Sequence, residues 1–228
     1  MANILFFDAG PIISLVMSRL AGILPELKKQ FNGRFYITPA VKYELVDRPL
    51  NVKRFEFEAL QTLKLINDGV FEVYDNVPQK KVTRLGTLAN SAFRVKNKPI
   101  DIVQSGELES LACALDLNAA IVMDERTLRL FMENSKDFTE LLESRFQSTV
   151  QADAEKIKLF SQEAQNVTII RSIELVGVAY KLKILDPYIP KQKDGRALLV
   201  DSVLWATKYN GCAVTEHEIE ELKAVLLK

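Results

Sequence analysis

Along the first half of the chain, short apolar runs alternate with stretches in which apolar residues recur at helical spacing. Asn3-Ile4-Leu5-Phe6-Phe7 is a nearly unbroken apolar run, the pattern of a strand buried on both faces. Pro11 suits the first turn of a helix, and Ile12, Ile13, Val16 and Leu20 continue it. Phe35-Tyr36-Ile37-Thr38 predicts a second strand, followed by a helix from Pro39 to about Asp47 that stops before Pro49. A helix carrying Phe55, Leu60, Leu63 and Ile66 ends near Asp68-Gly69, and Val70–Tyr74 predicts a strand. Ser105 is placed as the cap of a helix whose Leu108, Leu111, Ala112 and Leu115 form one stripe. Ala119–Met123 is the next buried strand and runs directly into Asp124.

Strands alternating with helices imply βαβ units and a mainly parallel sheet covered on both faces. Beyond Asp124 the texture changes to a charged, helix-rich stretch from about Thr127 to Gln165. The apolar run Val167–Ile170 follows, and then helices resume. The last helix opens on Thr215-Glu216-His217-Glu218, which has the form of a capping box. With no internal repeat and no Gly/Ser linker, residues 1–228 read as one domain. It carries helical insertions at about 80–100 and 132–166 and a C-terminal helical part.

Composition narrows the chemistry. The 228 residues carry 30 Lys+Arg against 30 Asp+Glu, so a nucleic-acid site has to be a local patch. His217 is the only histidine and sits in the first turn of a helix, which removes Ser-His-Asp and Cys-His triads. Cys113 and Cys212 are isolated, so neither a disulfide framework nor a Cys/His zinc site is expected. There is no GxxxxGK[ST] loop, and no GxGxxG follows the first strand. Asp8 and Gly10-Pro11 interrupt the N-terminal apolar run, so neither a signal peptide nor a membrane span is expected, and the reading is cytoplasmic.

Carboxylates remain in supply. Asp8 and Asp124 each follow a buried strand, and in a parallel sheet those ends share the edge where open α/β sheets bind ligands. Glu107 falls in the first turn of its helix and Glu44 about one turn beyond Pro39, so all four acids can gather there. Taken singly, each also suits a turn, cap or surface role. Together they repel unless a cation is shared, and oxygen donors suit Mg²⁺ or Mn²⁺.

Four motifs resemble the PIN (PilT N-terminus) domain family. They are Asp8-Ala9-Gly10-Pro11-Ile12-Ile13, Thr38–Glu44, Ser105-Gly106-Glu107-Leu108-Glu109 and Met123-Asp124-Glu125-Arg126-Thr127, in the family's order over residues 3–132. Ser172–Leu185 is weakly similar to the family's closing helix. The resemblance, to the prokaryotic VapC-type subgroup, implies a three-layer α/β/α sandwich and a Mg²⁺- or Mn²⁺-dependent ribonuclease held by Asp8, Glu44, Glu107 and Asp124. Glu109 remains an alternative to Glu107. The hydroxyl that many members carry two positions before the fourth acid is supplied by neither frame, Val122 before Asp124 nor Met123 before Glu125, which leaves Glu125 an alternative to Asp124 as ligand. RNA is the implied substrate, with an antitoxin protein and a second copy of the chain as partners. The competing expectation is a PIN-like scaffold or RNA-binding module without turnover. A phosphatase or receiver using Asp8 as nucleophile lacks the second acid two positions on.

One segregation of charge stands out. No acid lies between Asp75 and Asp101, while Lys80, Lys81, Arg84, Arg94, Lys96 and Lys98 do. This stretch is the expected phosphate-binding surface.

Overall fold

Side-chain alternation in the first strand decides the layering. In the computed structural model, which describes residues 3–133 and 135–228, β1 (Asn3–Phe7) sends Leu5 and Phe7 into one core and Phe6 into another. The chain continues through α1 (Ala9–Met17), α2 (Ile23–Phe31), β2 (Gly33–Ile37) and α3 (Pro39–Lys42). A π-helical turn over Tyr43–Asp47 leads to α4 (Glu56–Asn67) and β3 (Glu72–Val73). Then come α5 (Gln79–Asn90), β4 (Phe93–Val95), β5 (Lys98–Pro99), α6 (Ser105–Asp116) and β6 (Ala120–Val122). The remainder is α7 (Arg126–Glu133), α8 (Ser135–Phe146), β7 (Val150–Ala152), α9 (Ala154–Ala164) and β8 (Ile169–Ile170). Three helices close the chain: α10 (Ser172–Lys181), α11 (Gly195–Tyr209) and α12 (Glu216–Leu226).

Five strands pair in the order β3-β2-β1-β6-β8, and every pairing is parallel. Helices cover both faces, so the fold is a three-layer α/β/α sandwich with a parallel central sheet. On one face Leu5, Phe7, Phe35, Ile37 and Val122 pack with residues of α1, α2, α4 and α10 to α12. On the other, Phe6, Ile121 and Met123 pack with α5 to α9. Phe7 meets Phe35 and Phe71 at centroid distances of 4.9 and 5.0 Å, and Phe6 meets Tyr36 and Tyr74 at 5.5 and 5.4 Å. Each of the fully buried rings, Phe6, Phe7, Phe35 and Phe71, contributes about 1.5–3 kcal/mol through removal from water.

Three expectations need correction. The stretches at 80–100 and 132–166 are not purely helical, because β5-β4-β7 form a separate antiparallel sheet with Phe93 opposite Ala152 and Val95 opposite Val150. Lys96 and Asn97 both have positive φ, 50° and 64°, which makes the tight β4–β5 turn. The helix predicted from Pro39 to Asp47 keeps α geometry only to Lys42 before widening. Gln104, not Ser105, is the N-cap of α6; Ser105 is its first helical residue.

The strand order reverses beside β1: β2 and β3 lie on one side, β6 and β8 on the other. That switch point opens a crevice at the carboxyl ends of β1 and β6. Asp8 and Asp124 stand at its mouth.

Candidate functional site

The Asp8 backbone N–H donates to the Val122 carbonyl at 2.9 Å, so Asp8 leaves the sheet in register with the end of β6. Its side chain caps α1, with Oδ2 accepting the Gly10 N–H at 3.3 Å. Asp8 is buried, and burial pushes its carboxyl up to about 6; hydrogen bonds from Ala9 and Gly10 oppose the rise, and the charges of Glu44 and Asp124 add to it.

Asp124 is wired differently. Its Oδ1 accepts the Ser172 N–H at 2.7 Å, and its Oδ2 accepts the hydroxyls of Ser14 at 2.8 Å and Ser172 at 2.6 Å. One buried carboxylate thus ties β6 to α1 and to the N-terminus of α10. Cys212 lies against this knot; burial first, and then the Asp124 charge, push its thiol up to about 12, which keeps it protonated and inert as a nucleophile.

Glu44 sits in the π-helical turn, a geometry that recurs at functional sites. Its half-buried carboxyl is raised by desolvation, partly offset by Arg48. Across from it, α6 begins with a glycine. A Cβ on Gly106 would lie 3.6 Å from Glu44 Oε2 and 3.8 Å from Asp8 Oδ1, so both oxygens approach the same point at the start of α6. Glu107 is the next residue. It completes a capping box in which Oε2 accepts the Gln104 N–H at 2.8 Å. Burial pushes the Glu107 carboxyl up to about 8, the Gln104 bond opposes this, and the charges of Asp8, Glu125 and Glu44 add to it.

The structure therefore brings Asp8, Glu44, Glu107 and Asp124 to one edge of the sheet from four distant segments. The two alternative ligands have other occupations. Glu109 Oε2 accepts the Ala40 N–H at 3.1 Å and so caps α3, while exposed Glu125 accepts the Thr127 N–H at 2.8 Å. Oxygen donors of this kind fit Mg²⁺ or Mn²⁺ by their chemistry. As placed, no three Asp, Glu, His or Cys side chains among the described residues are grouped closely enough to hold one ion.

No family model, curated protein or solved structure matches this chain.

Two openings adjoin the acids. A polar cleft of about 510 Å³ runs off Glu107 between Asp101, Gln104, Ser105, Glu125 and Arg145. On the other side, Glu44 borders an apolar groove of about 600 Å³ lined by Ile13, Met17, Val52, Phe55 and Tyr209, all of them exposed. Ser14, Ser172, Gln104 and Arg145 are site residues that sequence reasoning missed. Arg171-Ser172-Ile173-Glu174 has no capping acceptor at its first position, so although the Arg171 N–H donates to Glu174 at 2.7 Å, no ordinary cap pattern marked Ser172.

The basic stretch divides. Lys81 pairs with Asp116 at 2.8 Å and Arg84 with Glu163 at 2.5 Å, both acids supplied by other helices. Asp116 closes α6 at the end remote from Glu107, about 14 Å along the axis. Lys80 is exposed on the same end of α5. Arg94, Lys96 and Lys98 are exposed on the β4–β5 hairpin. The six residues thus form two separate groups rather than one patch. His217 is exposed, with Nδ1 3.6 Å from Glu221. Among the described residues no helix is long and apolar enough to cross a membrane.

Proposed function

We propose that this protein is a Mg²⁺- or Mn²⁺-dependent endoribonuclease of the PIN type, working in the cytoplasm. The observation that carries the reading is the approach of Asp8 Oδ1 and Glu44 Oε2 to one point beside Glu107, at the switch point of a parallel sheet. The resemblance of the four acidic motifs supports the same residues. Asp8, Glu44 and Glu107 would hold the ion. Asp124 would contribute through the one lone pair left free by its three hydrogen bonds. A divalent ion supplies the charge that acidifies a water and neutralises the oxygen leaving phosphorus.

The chain's own residues set the conditions. Glu107, pushed up to about 8 by burial, keeps its proton at neutral pH when no cation is present and would release it to become a ligand, whereas Asp8, pushed up to about 6, is protonated only below that pH. Ser14 and Ser172 hold Asp124 in one orientation, and the Gln104 N–H does the same for Glu107. With no histidine near the acids, proton transfer falls to carboxyls and water.

A role as the toxin of a toxin–antitoxin pair is part of the proposal. The exposed apolar groove beside Glu44 supports a protein partner, whether an antitoxin or a second copy of the chain. The second reading, an RNA-binding scaffold without turnover, is favoured by the occupied oxygens of Asp124. Cleavage of single-stranded and structured RNA by wild type and Asp8→Asn, with and without Mn²⁺, decides between them. Mn²⁺-dependent cleavage that disappears in the variant supports the nuclease; RNA binding with no cleavage supports the scaffold.

A further inference from the structure

We infer that the polar cleft leading from Glu107 is the lane for the RNA strand, and that Arg145 binds a backbone phosphate beside the scissile bond. The inference rests on the ribonuclease reading and names how that site takes its substrate. The cleft's volume, about 510 Å³, is in the range that holds a small ligand or one nucleotide unit. Its lining is largely acidic, with Asp101, Glu107 and Glu125. Such a lining repels phosphate unless positive charge stands within it. Arg145 is the one cation among the described residues that line the cleft, and no described acid forms an ion pair with it. A guanidinium presents a planar pair of donors matched to two phosphate oxygens.

The backbone beneath Arg145 is held in place. Phe138 and Leu142 anchor α8 in the core with Phe93 and Phe131, at ring distances of 5.1 and 5.6 Å for the two phenylalanines. Glu143 Oε1 accepts the Val150 N–H at 3.0 Å and ties the end of α8 to β7. The small antiparallel sheet therefore gains a purpose: β7 follows α8 directly and fixes the end of the helix that brings Arg145 to the cleft. Among the described residues no aromatic ring lines the cleft, so the lane reads phosphates and not base identity.

The test compares wild type, Arg145→Ala and Arg145→Lys on a mixed-sequence, single-stranded oligoribonucleotide. Binding is measured in EDTA at several salt concentrations, and cleavage in Mn²⁺. The expected result for Arg145→Ala is about tenfold weaker binding, a salt slope smaller by about 0.7, a raised KM and a little-changed kcat. Its melting temperature stays the same, because the side chain is exposed. Arg145→Lys recovers the salt slope and part of the affinity. Wild-type binding, slope and KM in Arg145→Ala overturn the inference while leaving the nuclease reading intact. A wild-type protein that neither binds nor cuts the RNA overturns both.

Discussion

Glu107→Gln isolates the cost of holding a buried negative charge at the start of α6, next to the other acids. The amide oxygen can still accept the Gln104 N–H, so the capping box survives and only the charge is lost. The Glu107 carboxyl lies near 8 in the folded protein against an ordinary 4.5. A group raised on folding gives its full stability below the unfolded value and loses it as pH rises through the folded one. Wild type should therefore weaken between about pH 4.5 and pH 8 and level off above, while the variant stays flatter. At about 1.4 kcal/mol per unit the span sets an upper limit of roughly 5 kcal/mol. Water in the adjoining cleft and protons shared with Asp8 reduce the expected difference to about 2–3 kcal/mol above pH 8. For a chain of this size that is roughly 4–12 °C. Thermal melts of both proteins in EDTA at pH 5 and pH 8.5 read it directly. An advantage of the variant that is equal at both pH values would falsify the argument that burial, with the neighbouring acids adding to it, penalises the Glu107 charge.

Three further outcomes follow from the same geometry. Mn²⁺ should raise the melting temperature more at pH 8 than at pH 5.5, because Asp8 and Glu107 must release protons to ligate, and Asp8→Asn should shrink the shift; calorimetry across that range checks both. A Lys80/Lys81/Arg84 triple alanine should leave RNA affinity unchanged and cost at most about 1 kcal/mol, since its ion pairs are exposed and remote from Glu107; weakened RNA binding in that variant would restore this end of α5 to the substrate surface. Phe7→Ala should cost about 3–5 kcal/mol in urea unfolding, because the ring is fully buried between Phe35 and Phe71.

The central sheet was legible because its strands are buried on both faces, and β1, β2 and β6 appear as apolar runs that need no alternation. The edge β3 pairs only through Glu72 and Val73, so Val70–Tyr74 overstates it. The antiparallel β5-β4-β7 sheet was hidden for a different reason. Its strands are two or three residues long, and β4 and β7 are more than fifty positions apart, too short for periodicity and too distant for a local pattern. The four acids were legible through strand ends and motif order, but their division of labour was not. That Glu109 caps α3 depends on α6 packing against the turn after β2. The basic run illustrates the opposite failure: no acid is near it in sequence, yet Asp116 and Glu163 reach it through the fold.

Asp8 and Asp124 occupy equivalent places at two strand ends, and their surroundings predict opposite responses to the same truncation. Asp124→Ala removes the acceptor for the Ser172 N–H and for two hydroxyls, all in a buried knot. At about 1–3 kcal/mol for each buried donor left unpaired, with the backbone N–H counting most, the loss should be about 3–5 kcal/mol. Asp124→Asn should cost only about 1 kcal/mol, since its carbonyl oxygen can face the Ser172 N–H while the Ser14 and Ser172 hydroxyls rotate to accept from the amide. Asp8→Ala removes the cap acceptor of the Ala9 and Gly10 N–H groups, the latter at 3.3 Å, and also a buried carboxylate that crowds Glu44 and Asp124. A lost cap costs about 1 kcal/mol, and removal of a charge that is buried and repelled by Glu44 and Asp124 offsets it above pH 6, so stability there should be nearly unchanged. Urea unfolding of the three variants at pH 8 in EDTA gives the comparison. If Asp8→Ala proved as damaging as Asp124→Ala, Asp8 would be a structural cap and the metal reading would lose its central ligand. If Asp124→Ala were harmless, its hydrogen bonds would not hold the edge together, and Asp124 would be as free to ligate as the other acids.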